Sequence, residues 1–209
     1  MPRTAFIALL GFLATAYAAP EPTEIELDDP HAAFIHPMGF VFPSEVNGMS
    51  RTGVTRYDDD GKNVSAGYNH SSPKIIATVY VYPGLAPNSE LESHFQQTAE
   101  YLAEATGMKL LKIEKAAIAL GEKKREGYRA LFSIGEPHRL AIKGESLSEF
   151  YLFPLRENWH LKFRITYAAQ DREQAAPVIE KFLNGFAWPD KKGSSTKWVK
   201  TLIKKLLSP

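Results

Sequence analysis

Residues 75–82, IIATVYVY, closed by Pro83, constrain the fold more than any other stretch. The run is β-branched and aromatic, without charge or glycine, and reads as a strand. Ile75, Ala77, Val79 and Val81 alternate with Ile76, Thr78, Tyr80 and Tyr82. Both sets are largely apolar, which predicts a central strand covered on both faces, by helices or by a second sheet.

The first 18 residues do not belong to that fold. A positive start with Arg3 is followed by an apolar run over residues 5–15, broken only by Gly11, and then by Ala16-Tyr17-Ala18. This three-part pattern predicts a secretory signal peptide cleaved after Ala18. The run is too short to span a bilayer, which takes about 20 apolar residues. An exported chain with no cysteine has no disulfide to staple it, so its stability must come from its core. Residues 19–33 are proline-rich and acidic and read as a leader without fixed structure. With 25 Lys+Arg against 24 Asp+Glu, the charge balance argues against a nucleic-acid partner.

Residues 34–189 are expected to form one domain. Phe40, Val41 and Phe42 form a short strand closed by Pro43, and residues 43–48 are turn chemistry ending in Asn47-Gly48. Strands follow over residues 51–57 and 65–69, separated by Asp58-Asp59-Asp60-Gly61. Three adjacent acids do not match the alternate spacing of a calcium loop, so a solvated hairpin loop is the reading. After the central strand, Ser89 to Glu92 form a capping box for a helix over residues 89–106, with Gly107 as its stop. Leu91, Phe95, Ala99, Leu102 and Thr106 share one face of that helix.

Residues 108–120 (MKLLKIEKAAIAL) have helix-favouring composition, but they are read as a strand because the segments after them alternate. Those segments are residues 127–135, 147–153 and 160–167, an antiparallel meander. In the last, Leu161, Phe163, Ile165 and Tyr167 oppose His160, Lys162, Arg164 and Thr166. A second helix is expected over residues 171–188. Because proline is tolerated only in a first turn, Pro177 places its regular part from Ala175 onward. Val178, Ile179, Phe182, Leu183 and Phe186 form its packing stripe.

The end of the chain is different in character. Residues 189–209 hold six lysines and one aspartate. Over residues 196–207 Trp198, Val199, Leu202, Ile203, Leu206 and Leu207 fill one side of a helix, opposite Lys197, Lys200, Lys204 and Lys205. Such a basic amphipathic helix suits an anionic membrane surface, a groove on a partner, or its own domain. The residues singled out for membrane or partner contact are Lys197, Trp198, Lys200, Leu202, Ile203, Lys204, Lys205 and Leu206. A second candidate is an apolar pocket lined by Tyr80, Tyr82, Phe132 and Tyr151, for a small apolar ligand, if one sheet face is left incompletely covered.

Catalytic signatures are missing. There is no GxSxG, HExxH, P-loop or GxGxxG, and no cysteine nucleophile. The six histidines are scattered, and no cofactor or metal is expected. A hydrolase whose site assembles only in three dimensions remains an alternative, since triads are recognised by geometry.

Three segments carry a resemblance to a known family. Gly39-Phe40-Val41-Phe42-Pro43, the helix that follows the central strand, and the late helix ending in Phe186 resemble the corresponding parts of the PsbP/DcrB-like superfamily. The closing Ser-Phe pair of that family is Gly185-Phe186 here, and its aromatic after the opening proline is absent. The resemblance implies a three-layer α/β/α domain and an accessory or binding role outside the cytoplasm, without turnover. The expectation is therefore an exported α+β protein. It has a mostly antiparallel sheet, helices on both faces, and a C-terminal amphipathic helix. Its function is non-catalytic binding in the cell envelope; the alternatives are a peripheral membrane protein held by the basic helix and the hydrolase.

Overall fold

A computed structural model describes residues 21–84, 90–120, 123–135, 142, 144–155 and 158–187. The segments expected to be a signal peptide and a basic C-terminal helix lie outside the described residues, as does Ser89 of the expected capping box.

The strands are β1 (Thr23–Glu24), β2 (Phe34–Ile35), β3 (Val41–Phe42), β4 (Glu45–Val46), β5 (Met49–Arg56), β6 (Val64–His70), β7 (Ile75–Pro83), β8 (Lys109–Leu120), β9 (Lys123–Ile134), β10 (Ser146–Pro154) and β11 (Trp159–Ala168). Helix α1 (Leu91–Thr106) joins β7 to β8, and α2 (Arg172–Leu183) follows β11 through a 3-10 turn. One nine-stranded sheet runs in the order β1-β5-β6-β7-β11-β10-β9-β8, with β4 added to β5. Every pairing in it is antiparallel. Two meanders, β5-β6-β7 and β8-β9-β10-β11, meet where β7 pairs with β11. The IIATVYVY strand is thus central, as its composition demands.

The three-layer α/β/α arrangement is corrected. Strands dominate, and the helices are short, at 16 and 12 residues. Neither makes a layer over its side of the sheet. Helix α1 lies mainly against β8, β9 and β10 and touches β11 through His94, and α2 lies mainly against β11, with Phe182 also meeting Tyr68 of β6. The alternation of β10 shows how the packing divides. Phe150 and Leu152 join the cluster under α1, with Leu91, Phe95, Ala99, Ala130 and Phe132. Tyr151 and Phe153 join the larger cluster on the opposite face, with Phe163, Tyr68, Phe182 and Phe186. There the N-terminal segment supplies the cover that a second helix would have given: Phe40 stacks on Phe186 at 5.7 Å.

Three further expectations change. The leader is not loose from residue 21 onward. β1 pairs with the edge of β5, and Arg51 donates to the carbonyls of Pro30 (3.0 Å), Ala32 (2.7 Å) and Phe42 (2.7 Å), pinning the leader and β3 together. Helix α2 starts at Arg172 rather than near Ala175; exposed Pro177 sits inside it and forgoes the ladder bond its N–H would have made. Thr106, expected on the packing face of α1, is exposed, and its hydroxyl bonds back to the Leu102 carbonyl at 2.5 Å.

Elsewhere the local chemistry works as its residues require. Asn47 and Gly48 both have positive φ (49° and 86°) and turn β4 into β5. Gly107 ends α1 in the left-handed conformation. Asp58 accepts hydrogen bonds from the amides of Lys62 (2.8 Å) and Asn63 (3.0 Å), so the acidic loop is a self-capped hairpin turn.

Candidate functional site

Helix α1 covers β8 to β10 and reaches His160 and Tyr82 at one end of β11 and β7; among the described residues no other helix lies over the rest of this sheet face, on β5, β6, β7 and β11. The register identifies what lies there. Tyr80 is paired with Ser65 on one side and Lys162 on the other; Thr78 is paired with Gly67 and Arg164; Ile76 with Asn69 and Thr166. Ile76, Thr78, Tyr80 and Tyr82 are half-buried, whereas Ile75, Ala77, Val79 and Val81 on the far side are buried. The expectation that neither face of the central strand meets water therefore holds for one face only. Tyrosine explains the discrepancy. Its ring packs while its hydroxyl reaches solvent, so an apolar-looking row can sit at a boundary.

Lys162 organises this half-face. Its ammonium lies 3.8 Å from the centroid of the Tyr80 ring and 5.4 Å from that of Tyr82. Arg164 follows two residues on, along the same strand and face. Among the described residues no carboxylate is within ion-pair distance of either cation. Burial, with help from Arg164, depresses the Lys162 pKa to about 8. Tyr57 extends the aromatic row, 6.1 Å from Tyr80 between ring centroids, and its hydroxyl bonds Ser65 Oγ at 3.0 Å. Burial pushes the Tyr80 phenol up to about 12.

At one end of the row stands His160. It is 1% exposed, and neither ring nitrogen has a hydrogen-bond partner among the described residues. Tyr82 meets it edge-on at 5.6 Å, and His94 of α1 stacks on it at 6.1 Å. Burial, then the charge of His94, lowers its pKa to about 4, so the ring is neutral. Gly84 makes the room: a Cβ there would stand 2.6 Å from His160 Cε1. His36, by contrast, is a satisfied core histidine. Its Nδ1 accepts from the Met38 amide (3.1 Å), so Nε2 carries the proton and donates to the Lys62 carbonyl (3.0 Å).

The four residues expected to share an apolar pocket are not brought into one place. Tyr80 lies on the half-face beyond α1, and Tyr82 sits at its boundary, packed against the edge of the cluster under α1. Phe132 is on the same side of the sheet but sealed under α1, and Tyr151 points to the opposite face. There Tyr151 belongs to a different constellation. Glu149, 3% exposed, accepts from the hydroxyls of Tyr151 and Tyr167 (2.6 Å for Tyr167) and from Arg129 Nε (2.9 Å). Arg129 also reaches Glu114 at 2.7 Å. Every member is paired, so this is a locked ionic network inside the core rather than an open site. Lys197, Trp198, Lys200, Leu202, Ile203, Lys204, Lys205 and Leu206 all lie outside the described residues.

Sequence reasoning missed Lys162, Arg164 and His160. Their alternation with Leu161, Phe163 and Ile165 was visible, but their position beside Tyr80 and Tyr82 depends on the β7–β11 pairing, which joins segments some 80 residues apart. Among the described residues no group of three or more His, Asp or Glu is placed to hold a metal. The chain matches no protein-family model, and comparison with curated proteins gives no significant match.

Proposed function

We propose that this is an exported, non-catalytic binding or accessory protein of the cell envelope, and that its ligand docks on the half-face of β5, β6, β7 and β11. The observation that carries the reading is the row of Tyr57, Tyr80 and Tyr82 with two cations that pair with no carboxylate among the described residues, half-buried on the part of the sheet face beyond α1. Export rests on the N-terminal pattern, and the accessory role agrees with what the PsbP/DcrB-like resemblance implies. Binding is favoured over hydrolysis because His160, the histidine beside the row, touches neither a hydroxyl nor a carboxylate with its ring nitrogens. The basic C-terminal segment supports a second role, peripheral attachment to anionic membranes.

Thr78 lies on this half-face between Gly67 and Arg164, so Thr78→Trp fills the face without entering the core. Titration with the neutral, polarity-sensitive dye N-phenyl-1-naphthylamine tests the reading. Wild-type protein is expected to bind the dye, and Thr78→Trp to abolish binding while keeping a cooperative melt. Equal binding by both proteins refutes the assignment of the face.

A further inference from the structure

We infer that the ligand of this half-face is a small organic anion with a planar apolar body, its acidic group seated between Lys162 and Arg164 and its body on the tyrosine row. The inference rests on the reading of the face as a binding site and names the ligand class.

Charge complementarity is the first argument. Two cations at alternate positions of one strand stand about 7 Å apart, close enough for one carboxylate, sulfonate or phosphate to bridge them. A half-buried lysine and arginine normally recruit a carboxylate from their own chain, because an unneutralised buried charge is unfavourable. Five ion pairs form among the described residues, one of them (Arg129–Glu149) deep in the core, yet none reaches this pair. The Lys162 ammonium is held instead over the π-faces of Tyr80 and Tyr82. Rings fix its position but leave its outward N–H bonds free.

The second argument is independent. Two positions from Lys162 on the same strand and the same face, His160 has both ring nitrogens buried and unpartnered. Such groups are rare, because each forgoes a hydrogen bond worth on the order of a tenfold change in equilibrium. A ligand whose polar edge reaches past Tyr82 supplies the missing partner. The neutral ring, with one donor and one acceptor nitrogen, would accept either kind of group.

Geometry selects the size. Both cations and the tyrosines that frame them are half-buried on the floor of the sheet, with α1 standing beside them on β8 to β10. A planar anion can lie flat on this floor. A bilayer surface would meet the rim first and leave the cations short of its phosphates.

The test uses the fluorescent aryl sulfonate 8-anilinonaphthalene-1-sulfonate beside the neutral N-phenyl-1-naphthylamine, on purified wild-type, Lys162→Gln, Arg164→Gln, the double variant and Thr78→Trp. Loss of either cation is expected to weaken the sulfonate about tenfold and loss of both about a hundredfold, with the neutral dye unchanged. Thr78→Trp is expected to abolish both. Sulfonate affinity unchanged in the double variant, but lost in Thr78→Trp, overturns the anion assignment and leaves the binding face standing. Affinity unchanged in Thr78→Trp overturns both. If inorganic phosphate competes as well as the sulfonate binds, the planar body is refuted. If only phosphatidylglycerol vesicles bind in a Lys162- and Arg164-dependent way, the occupant is a membrane and the small-molecule assignment fails.

Discussion

Replacing Lys162 by methionine is expected to stabilise the protein at neutral pH and to do so less as pH rises. The fall of the lysine pKa from 10.5 to about 8 corresponds to about 3 kcal/mol of folded-state preference for the neutral amine. Contact with the rings of Tyr80 and Tyr82 opposes that preference by about 0.5–2 kcal/mol. Methionine keeps the length and the ring contact and removes the charge. The net gain is therefore about 1–3 kcal/mol. The sign follows from the direction of the shift. The folded pKa lies below the unfolded one, so the penalty on wild type is complete below pH 8. It fades as the folded amine loses its proton, and vanishes above the unfolded value of 10.5. Urea unfolding of wild type and Lys162→Met, followed by tryptophan fluorescence at pH 7 and pH 9.5, measures both features. The gain at pH 9.5 is expected to be less than about half that at pH 7. Destabilisation at pH 7, or a gain that does not change with pH, refutes the argument that Lys162 is held charged against its surroundings. It also removes the electrostatic reason for an anion to bind there. A side chain that weakens the fold while being aimed at an uncovered surface fits the trade between stability and function.

Arg129→Leu strands the buried Glu149 carboxylate and is expected to cost about 3–5 kcal/mol, seen as a melting temperature lower by about 6–20 °C. The double variant Arg129→Leu/Glu149→Leu recovers most of the loss, because no buried charge is left behind. Gly185→Ala drives a Cβ into Val46 Cγ1 and is expected to lower stability by about 1–3 kcal/mol in urea melts. Gly135→Ala, where a Cβ meets nothing within 4 Å, stays within about 0.5 kcal/mol of wild type. Exported protein is expected to begin at Ala19 by N-terminal sequencing. Retention of Met1 in the exported form argues against the signal peptide. Truncation after Pro189 is expected to abolish co-sedimentation with anionic vesicles, and unchanged pelleting rules out the tail as the anchor.

Alternation made most of the sheet legible. β7 carries its buried residues at every second position, β11 alternates over its middle, and β10 is buried along nearly its whole length. β8 shows context overriding propensity. Lys, Leu, Glu and Ala favour helix, yet the segment pairs along nearly its whole length with β9. The errors share one origin, which is that strand partners over long range cannot be read from local pattern. In the sequence Tyr151 and Phe132 look like pocket neighbours because both are aromatic. The register instead sets Phe132 opposite Ser148, which puts Tyr151, three residues on, on the other face. The Glu149 network is invisible for the same reason: its donors come from three neighbouring strands and meet only when the register is known.

The uncovered half-face follows from simple dimensions. Eight strands side by side span about 34 Å, at roughly 4.8 Å per gap. A helix about 10 Å across shields two or three of them. Among the described residues one helix on this side therefore leaves about half the width without helical cover, and many residues there have to tolerate water. Most do. Thr55, Gly67, Asn69 and Thr78 are small or polar, as a water-facing antiparallel face requires. Against that background Tyr57, Tyr80, Tyr82, Lys162 and Arg164 are the exceptions, and they occur together. Thermodynamic stability alone would have favoured a carboxylate within reach of Lys162. The clustering of two rings, two cations and a buried histidine, none of these three bases paired among the described residues, within one short stretch of β7 and β11, with Tyr57 beside Tyr80, is what a surface kept for a ligand would show.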